Sequence, residues 1–203
     1  MNAFIIKLAL RICYFTASVI WGIMTFLQYE KKGSVKMTVY NSIQHFRDEF
    51  SLLNDCQQRL DIATFRYDNF FVFFGGLLLV FYALKLKSED WKDKPKSFWS
   101  PILTVLLVAG LVYMALDWSE NYCFLKAVKD PGFDFLSFKA LQLSKWATGL
   151  VALGGLILID LVVFINWRRI LWAIFGFLLI TLLVAGSVGL YNHSYPICSA
   201  CKK

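Results

Sequence analysis

The sequence predicts an all-α polytopic membrane protein, a five-helix transmembrane bundle with amphipathic and interfacial helices on its outer face. Of the 203 residues, 58% are hydrophobic and 17% are charged, and this apolar share is well above that of ordinary soluble domains. The apolar runs are too long and alternate too little for barrel strands, whereas a helix of about 20 residues crosses a bilayer with its backbone satisfied. Residues 1–203 are therefore predicted to form a single integral membrane domain.

Five apolar runs are the predicted spans, at residues 8–27, 70–84, 101–118, 146–166 and 170–190. The first run is long for a signal peptide, and no small-residue cleavage site follows it, which favours a retained anchor. Pro101 opens the third run, and proline is tolerated in the first turn of a helix. Glycines within the spans predict close helix packing, at Gly75, Gly76, Gly149, Gly154, Gly155, Gly186 and Gly189.

Two long connections, 29–69 and 119–145, are predicted to cover one end of the bundle. In the first, apolar residues from Ile43 to Leu60 follow helical spacing, which predicts an amphipathic helix. The second contains a Pro-Gly turn among aromatic residues and is predicted to rest at the membrane interface. The polar tail at 191–203 carries two cysteines.

The distribution of Lys and Arg predicts the orientation, because short basic loops favour the cytoplasmic side. Residues 85–96 and the Arg168-Arg169 pair both lie inside only if the amino terminus is cytoplasmic, five helices cross, and the carboxyl terminus is outside. Three lysines just beyond the first span oppose this arrangement. The net charge of +7 is scattered rather than clustered, so no nucleic-acid partner is predicted. The predicted partners are membrane lipids and another membrane protein or a second copy of the chain.

Polar side chains gather where the second and third spans meet the outer face. Asp117, Glu120 and Asn121 share one helix face at the end of the third span. Asp68, with Arg66 just before it, opens the second span. Because consecutive spans run antiparallel, these ends are predicted to meet and form a polar site at the membrane boundary.

Two interpretations of this acidic group stay open. The oxygens of Asp68, Asp117 and Glu120 are of the kind that bind a divalent metal, hold a lipid headgroup through an ion, or share a proton. The structural alternative pairs Glu120 with Arg66 or a nearby lysine. A carboxylate at the carboxyl end of a helix opposes the helix dipole, so a cationic partner is predicted in either case.

The R-x-D-x-x-F sequence at Arg66 and the LDWSEN sequence that ends the third span resemble a pattern of small, uncharacterised bacterial multi-span membrane proteins. In that pattern an acid opens one span and D-x-x-E-N ends the next. The resemblance covers Arg66–Cys123 and implies a shared helical scaffold in a bacterial inner membrane. It carries no activity, and the fifth span and the cysteine tail here depart from the pattern.

Four of the five cysteines lie outside the apolar runs and are predicted on the outer side. Cys198 and Cys201 form a C-x-x-C pair, a spacing that suits thiol-disulfide exchange, and Cys56 and Cys123 supply a second pair. In cysteine count alone the chain is similar to disulfide-generating membrane proteins and to the vitamin K epoxide reductase family, although those place the motif at the end of a span. The alternatives are structural disulfides or part of a zinc site with His193.

Asp160 is an acid within the fourth apolar run, where an ionisable group marks an ion or proton route or is hydrogen-bonded to a neighbouring helix. The sequence contains no G-x-S-x-G, H-E-x-x-H or P-loop motif, and it identifies no cofactor. The function predicted first is a non-catalytic membrane component: a scaffold, accessory subunit, or lipid- or partner-binding module. The alternatives are a thiol-disulfide oxidoreductase using Cys198 and Cys201, and an ion- or lipid-handling enzyme built on the acidic group.

Overall fold

The computed structural model describes residues 3–30, 40–88, 96–162 and 167–194. Within those ranges the chain forms six helices and no strand: α1 Ala3–Glu30, α2 Ile43–Ser51, α3 Asp55–Ser88, α4 Lys96–Lys129, α5 Phe138–Val162 and α6 Trp167–Ser194. All except α2 are long and apolar enough to cross a membrane. The predicted all-α bundle with five spans is confirmed.

Helices α3 and α4 extend well beyond the predicted spans. Each has 34 residues, a length of about 51 Å, whereas the hydrocarbon core of a bilayer is about 30 Å thick. The prediction began the second span at 70 and ended the third at 118, but α3 begins at Asp55 and α4 ends at Lys129. Hydropathy marks where lipid contact ends, whereas a helix continues as long as its backbone stays paired and its end charges suit the dipole.

The five spans are arranged in the order α6, α1, α3, α4, α5, with each helix packed mainly on its neighbours in that series. Helices α1 and α6 approach closely at Gly22, where an added Cβ would lie 2.8 Å from Val184 Cβ. Eight residues earlier along α1, the Tyr14 hydroxyl donates to the Ala173 carbonyl of α6 at 2.5 Å.

The predicted glycine contacts are confirmed at three positions and wrong at three. A Cβ at Gly76, Gly149 or Gly155 would meet a side chain of α4 at 3.0 Å or less. Gly75, Gly154 and Gly186 face open space instead. The side chain direction turns by about 100° per residue on a helix, so only one member of an adjacent glycine pair faces the neighbouring helix.

Residues 40–54 and 130–137, here called the cap, close one end of the bundle around an aromatic core. Phe46 of α2 lies against Phe124 of α4, with ring centroids 4.6 Å apart, and Phe124 stacks on Phe65 at 4.9 Å. Arg47 links the two parts of the cap. From the 40–54 segment its guanidinium donates to two carbonyls of the 130–137 segment, those of Asp130, at 2.8 Å, and of Phe133.

The two connections differ from their predictions in where the helices end. The amphipathic helix is confirmed over Ile43–Ser51, but Leu60 belongs to α3, because the chain breaks at residues 52–54 and starts a new helix at Asp55. In the second connection, predicted at 119–145, α4 and α5 take up most of the residues and leave a short turn at 130–137. Its position at the membrane interface stays a prediction.

An antiparallel seam joins α4 and α5 along most of their length. Near the cap, successive contact residues on α4 are three or four residues apart, and their partners on α5 have the same spacing in the opposite direction, as in the heptad pattern of packed helices. The contacts that define this register are Leu106 with Gly155, Tyr113 with Gly149, Asp117 with Lys145, Glu120 with Gln142, and Phe124 with Phe138. Two layers near the cap are polar, and they form the candidate site.

Candidate functional site

A cluster of polar side chains lies just below the cap, between α3, α4 and α5. It is called the polar centre and consists of Asp68, Asp117, Glu120, Asn121, Gln142 and Lys145. Asp117, Glu120, Asn121 and Gln142 are almost fully buried. Helix periodicity assembles the centre, because the α4 members fall within one turn and the α5 members fall on the facing turn.

Lys145 supplies the positive charge of the polar centre. Its Nζ atom lies 3.1 Å from Asp117 Oδ1 and donates to Glu120 Oε2. The side chains of Asp117 and Glu120 are each 5% exposed and that of Lys145 is 12% exposed, so water screens the attraction little. Nζ also lies 4.9 Å from the centre of the Trp146 ring, a cation–π contact.

Two amide side chains complete the polar centre and tie it to neighbouring helices. Gln142 Nε2 donates to Glu120 Oε1 at 2.5 Å, which joins α5 to α4. Asn121 Nδ2 donates to Asp68 Oδ2 at 2.8 Å, which joins α4 to α3. Each carboxylate therefore faces at least one donor or cation from another helix.

Tyr113 and Gly149 form the next layer below the polar centre. Tyr113 precedes Asp117 by one turn, and its phenol faces that carboxylate. On α5, a Cβ at Gly149 would lie 3.0 Å from Tyr113 Cδ2. The absence of a side chain at Gly149 therefore leaves room for the Tyr113 ring to lie against the α5 backbone, with its phenol directed toward the polar centre.

The geometry of the centre does not favour a metal. Across the described residues, no group of three or more His, Cys, Asp or Glu side chains is arranged to hold a metal ion. The sequence placed a possible metal among Asp68, Asp117 and Glu120, but the ammonium of Lys145 binds Asp117 and Glu120 there. Asp68 is turned to Asn121 instead.

The sequence identified the acidic half of the centre and predicted a cationic partner for it, but did not identify that partner as Lys145. Asp68, Asp117, Glu120 and Asn121 come together as predicted, whereas Arg66 is exposed outside the centre. Lys145 is not among the predicted site residues, because the predicted fourth span begins after it and leaves it at the end of a polar connection. The available signal was the i, i+3, i+7 spacing of Gln142, Lys145 and Gly149, which places these residues on one face of α5. The Asp160 side chain lies outside the described part of the structure.

The three described cysteines lie apart from one another. Cys123 is a buried free thiol in the aromatic core below the cap, and Cys13 is a buried free thiol in α1. Cys56 is not among the free thiols, and it is buried where the ends of α1 and α6 meet the start of α3. Cys123 is therefore free in this structure and packs in a different cluster from Cys56, and the redox role of these two cysteines stays a prediction. Cys198 and Cys201 lie outside the described residues.

Comparison of the chain with protein-family models, with curated proteins and with solved structures finds no match. The polar centre, the cap and the surfaces of the bundle are therefore the features from which a function is inferred.

Proposed function

We propose that this protein is a non-catalytic component of a membrane assembly, a scaffold or accessory subunit. The observation that carries the proposal is the position of Lys145 between Asp117 and Glu120. The Lys145 charge is thus paired with carboxylates of the protein itself, and the amides of Gln142 and Asn121 donate to Glu120 Oε1 and Asp68 Oδ2. A catalytic or ion-handling site would need such groups available to a substrate, so an enzyme built on the acidic group is less well supported.

A buried polar layer in such a protein has a structural use. Replacing a buried ion pair with apolar residues is often neutral or stabilising, but a polar layer in a helix seam fixes the register of the helices. Here the register of α4 and α5 determines where the cap is held. The polar centre thus specifies the shape of the capped end.

The partner surface that we propose is α6. Only 6% of its most apolar stretch is buried within the bundle, against 22–28% for the other four spans. Its exposed side chains are large, as Trp172, Phe175 and Leu182 show. A helix with this much free apolar surface suits membrane lipids and a second membrane protein or another copy of the chain.

The test separates a structural centre from a reactive one. The triple variant Asp117→Asn, Glu120→Gln, Lys145→Met removes every charge of the ion-pair network while keeping similar volumes. The scaffold proposal expects this variant to fold and to retain the oligomer and partners of the wild-type protein in detergent extracts, measured by native mass spectrometry. A variant that folds normally but loses its assembly would show that the charges act beyond packing.

A second candidate function, thiol-disulfide exchange, is supported by the position of Cys56. It packs near Ala185 and Val188 of α6, and α6 ends at Ser194, four residues before Cys198. In this proposal the Cys198 and Cys201 thiols form a disulfide by transferring two electrons and two protons to a membrane quinone. Cys56, in its reduced form, then attacks that disulfide, which forms a mixed disulfide and releases the other cysteine as a thiol. Differential thiol trapping in cells tests it: Cys56 that stays oxidised under every growth condition would leave only a structural disulfide.

The proposed location is a bacterial inner membrane with the amino terminus in the cytoplasm. The support is the count of basic residues in the short loops, and an odd number of spans places the two termini on opposite sides. Membrane-impermeant labelling of single cysteines placed at Ser137 and at Lys87 tests the orientation. Labelling of the first position alone in intact cells supports the proposal, and the reverse pattern inverts it.

A further inference from the structure

A shallow groove of about 330 Å³ runs between the outer faces of α3 and α4. It is lined by Asn69, Phe70, Phe73, Trp118, Tyr122 and Leu125. Its floor is well ordered, because Trp118 Nε1 donates to the Asn69 carbonyl at 2.9 Å and the Phe73 and Trp118 rings lie parallel with centroids 5.9 Å apart. Phe70 and Tyr122 stand at its rim, 58% and 61% exposed. The groove is therefore apolar and open toward the surroundings of the bundle.

The position of the groove beside the polar centre indicates its level relative to the membrane. Trp118 follows Asp117, and Asn69 follows Asp68, so the floor lies at the level where the apolar spans give way to buried charges. Trp and Tyr side chains concentrate at the boundary between acyl chains and headgroups. We therefore expect the groove to open at this boundary.

Two basic residues lie on the side of the groove that is nearer the cap. Arg66 is exposed and precedes Asn69 and Phe70 by three and four residues, so it lies on the same face of α3. On α4, Lys126 follows Tyr122 by one turn, and its Nζ atom lies between two rings, 5.8 Å from the centre of the Tyr122 ring and 4.6 Å from that of Phe133 in the cap. No acidic residue stands three or four positions from Arg66 in the sequence. The apolar groove is thus paired with positive charge at its headgroup end.

We propose that this groove binds one anionic glycerophospholipid, with an acyl chain against Phe70, Phe73 and Trp118 and the headgroup phosphate between Arg66 and Lys126. Arg presents paired donors that match two phosphate oxygens, and Lys adds a point charge. A headgroup such as that of phosphatidylglycerol has no cation to offset the phosphate charge, so the lipid is net negative, which favours it over zwitterionic lipids near two cations. The inference is independent of the scaffold proposal, because an enzyme or a scaffold could hold such a lipid.

The experiment uses the full chain in nanodiscs that contain brominated lipid, either phosphatidylglycerol or phosphatidylcholine. Bromine quenches tryptophan at contact, and the Trp118 contribution is the difference between the wild-type protein and Trp118→Phe. The proposal expects stronger quenching of Trp118 by the brominated phosphatidylglycerol. The double variant Arg66→Gln, Lys126→Gln should lower that preference by about tenfold, whereas Lys139→Gln, at an exposed site on α5, should leave it unchanged.

Native mass spectrometry of the same proteins supplies a second readout, which does not depend on Trp118→Phe folding. Wild-type protein and Lys139→Gln should retain one phosphatidylglycerol after delipidation, and the double variant should lose it. Equal quenching by the two lipids, or a double variant that keeps the wild-type preference, would show only the ordinary contact of a membrane protein with bulk lipid and would overturn the proposal.

Discussion

Replacement of Lys145 by methionine is the most direct perturbation of the polar centre. Methionine keeps an unbranched stem of similar size, so the change removes the ammonium more than it changes the packing. Asp117 and Glu120 then remain as buried carboxylates, each 5% exposed, without their cation. Removing one partner of a buried ion pair costs about 3–5 kcal/mol. Because Lys145 is 12% exposed and lies near the bilayer boundary, we expect a loss of about 3 kcal/mol, the lower end of that range.

The assay is reversible unfolding of the purified protein in mixed micelles, followed by circular dichroism. A loss of this size lowers the folding equilibrium constant by about a hundredfold. Lys139→Met is the matched control, since it removes an exposed lysine from the same helix and should change the unfolding free energy by about 0.5 kcal/mol or less. The triple variant that also neutralises Asp117 and Glu120 should recover most of the stability, because it leaves no unpaired charge.

Two results would refute this reasoning. If Lys145→Met lowers the unfolding free energy by less than about 1 kcal/mol, the ion pair behaves as a surface pair and does not hold the helices together. If the triple variant is no more stable than Lys145→Met, the loss comes from the lysine stem or from a separate contact rather than from uncompensated carboxylates.

Three further variants test the cap and the seam. Arg47→Gln removes charge-assisted bonds to carbonyls of the turn between α4 and α5, so cap stability should fall by about 1.5–3 kcal/mol and limited proteolysis at that turn should accelerate. Gly149→Ala places a methyl group 3.0 Å from the Tyr113 ring and should lower the melting temperature, whereas Gly154→Ala faces open space and should not. Burial and nearby carboxylates raise the pKa of Tyr40 from 10.0 to about 12. The protonated Tyr40 phenol therefore contributes its full stability to the fold below pH about 10, and this contribution is lost as the pH rises through about 12. Because phenylalanine does not ionise, Tyr40→Phe should lose less stability than the wild-type protein in an alkaline titration.

The number and order of the spans could be predicted because lipid imposes a strong compositional signal. A run of apolar residues such as 170–190 has no other stable location, and its backbone must be helical there. The helix ends could not be predicted in the same way. Helix α3 begins at Asp55, among polar residues that hydropathy assigns to a loop, because its first turns pack on the ends of α1 and α6 rather than on lipid.

The acidic half of the polar centre could be predicted because i, i+3 and i+4 spacing is local. Its cation could not be placed without the register of α4 and α5, which long-range packing sets. The seam spacing itself was present in the sequence, since Tyr113, Asp117 and Glu120 mirror Gln142, Lys145 and Gly149. Recognising the mirror required α5 to begin near Phe138, whereas the predicted fourth span began after the lysine.

The polar centre and the aromatic core below the cap are consecutive layers of one seam, and this limits how the capped end can move. A shift of one turn along α5 would separate Lys145 from Asp117 and would also withdraw Phe138, which is fully buried, from its contact with Phe124. The shift therefore requires breaking an ion pair and exposing an aromatic ring at the same time. A sliding motion of α5 is consequently much less favourable than a tilt of the outlying helix α6, and we expect any conformational change of the bundle to occur between α6 and α1 rather than along the α4–α5 seam.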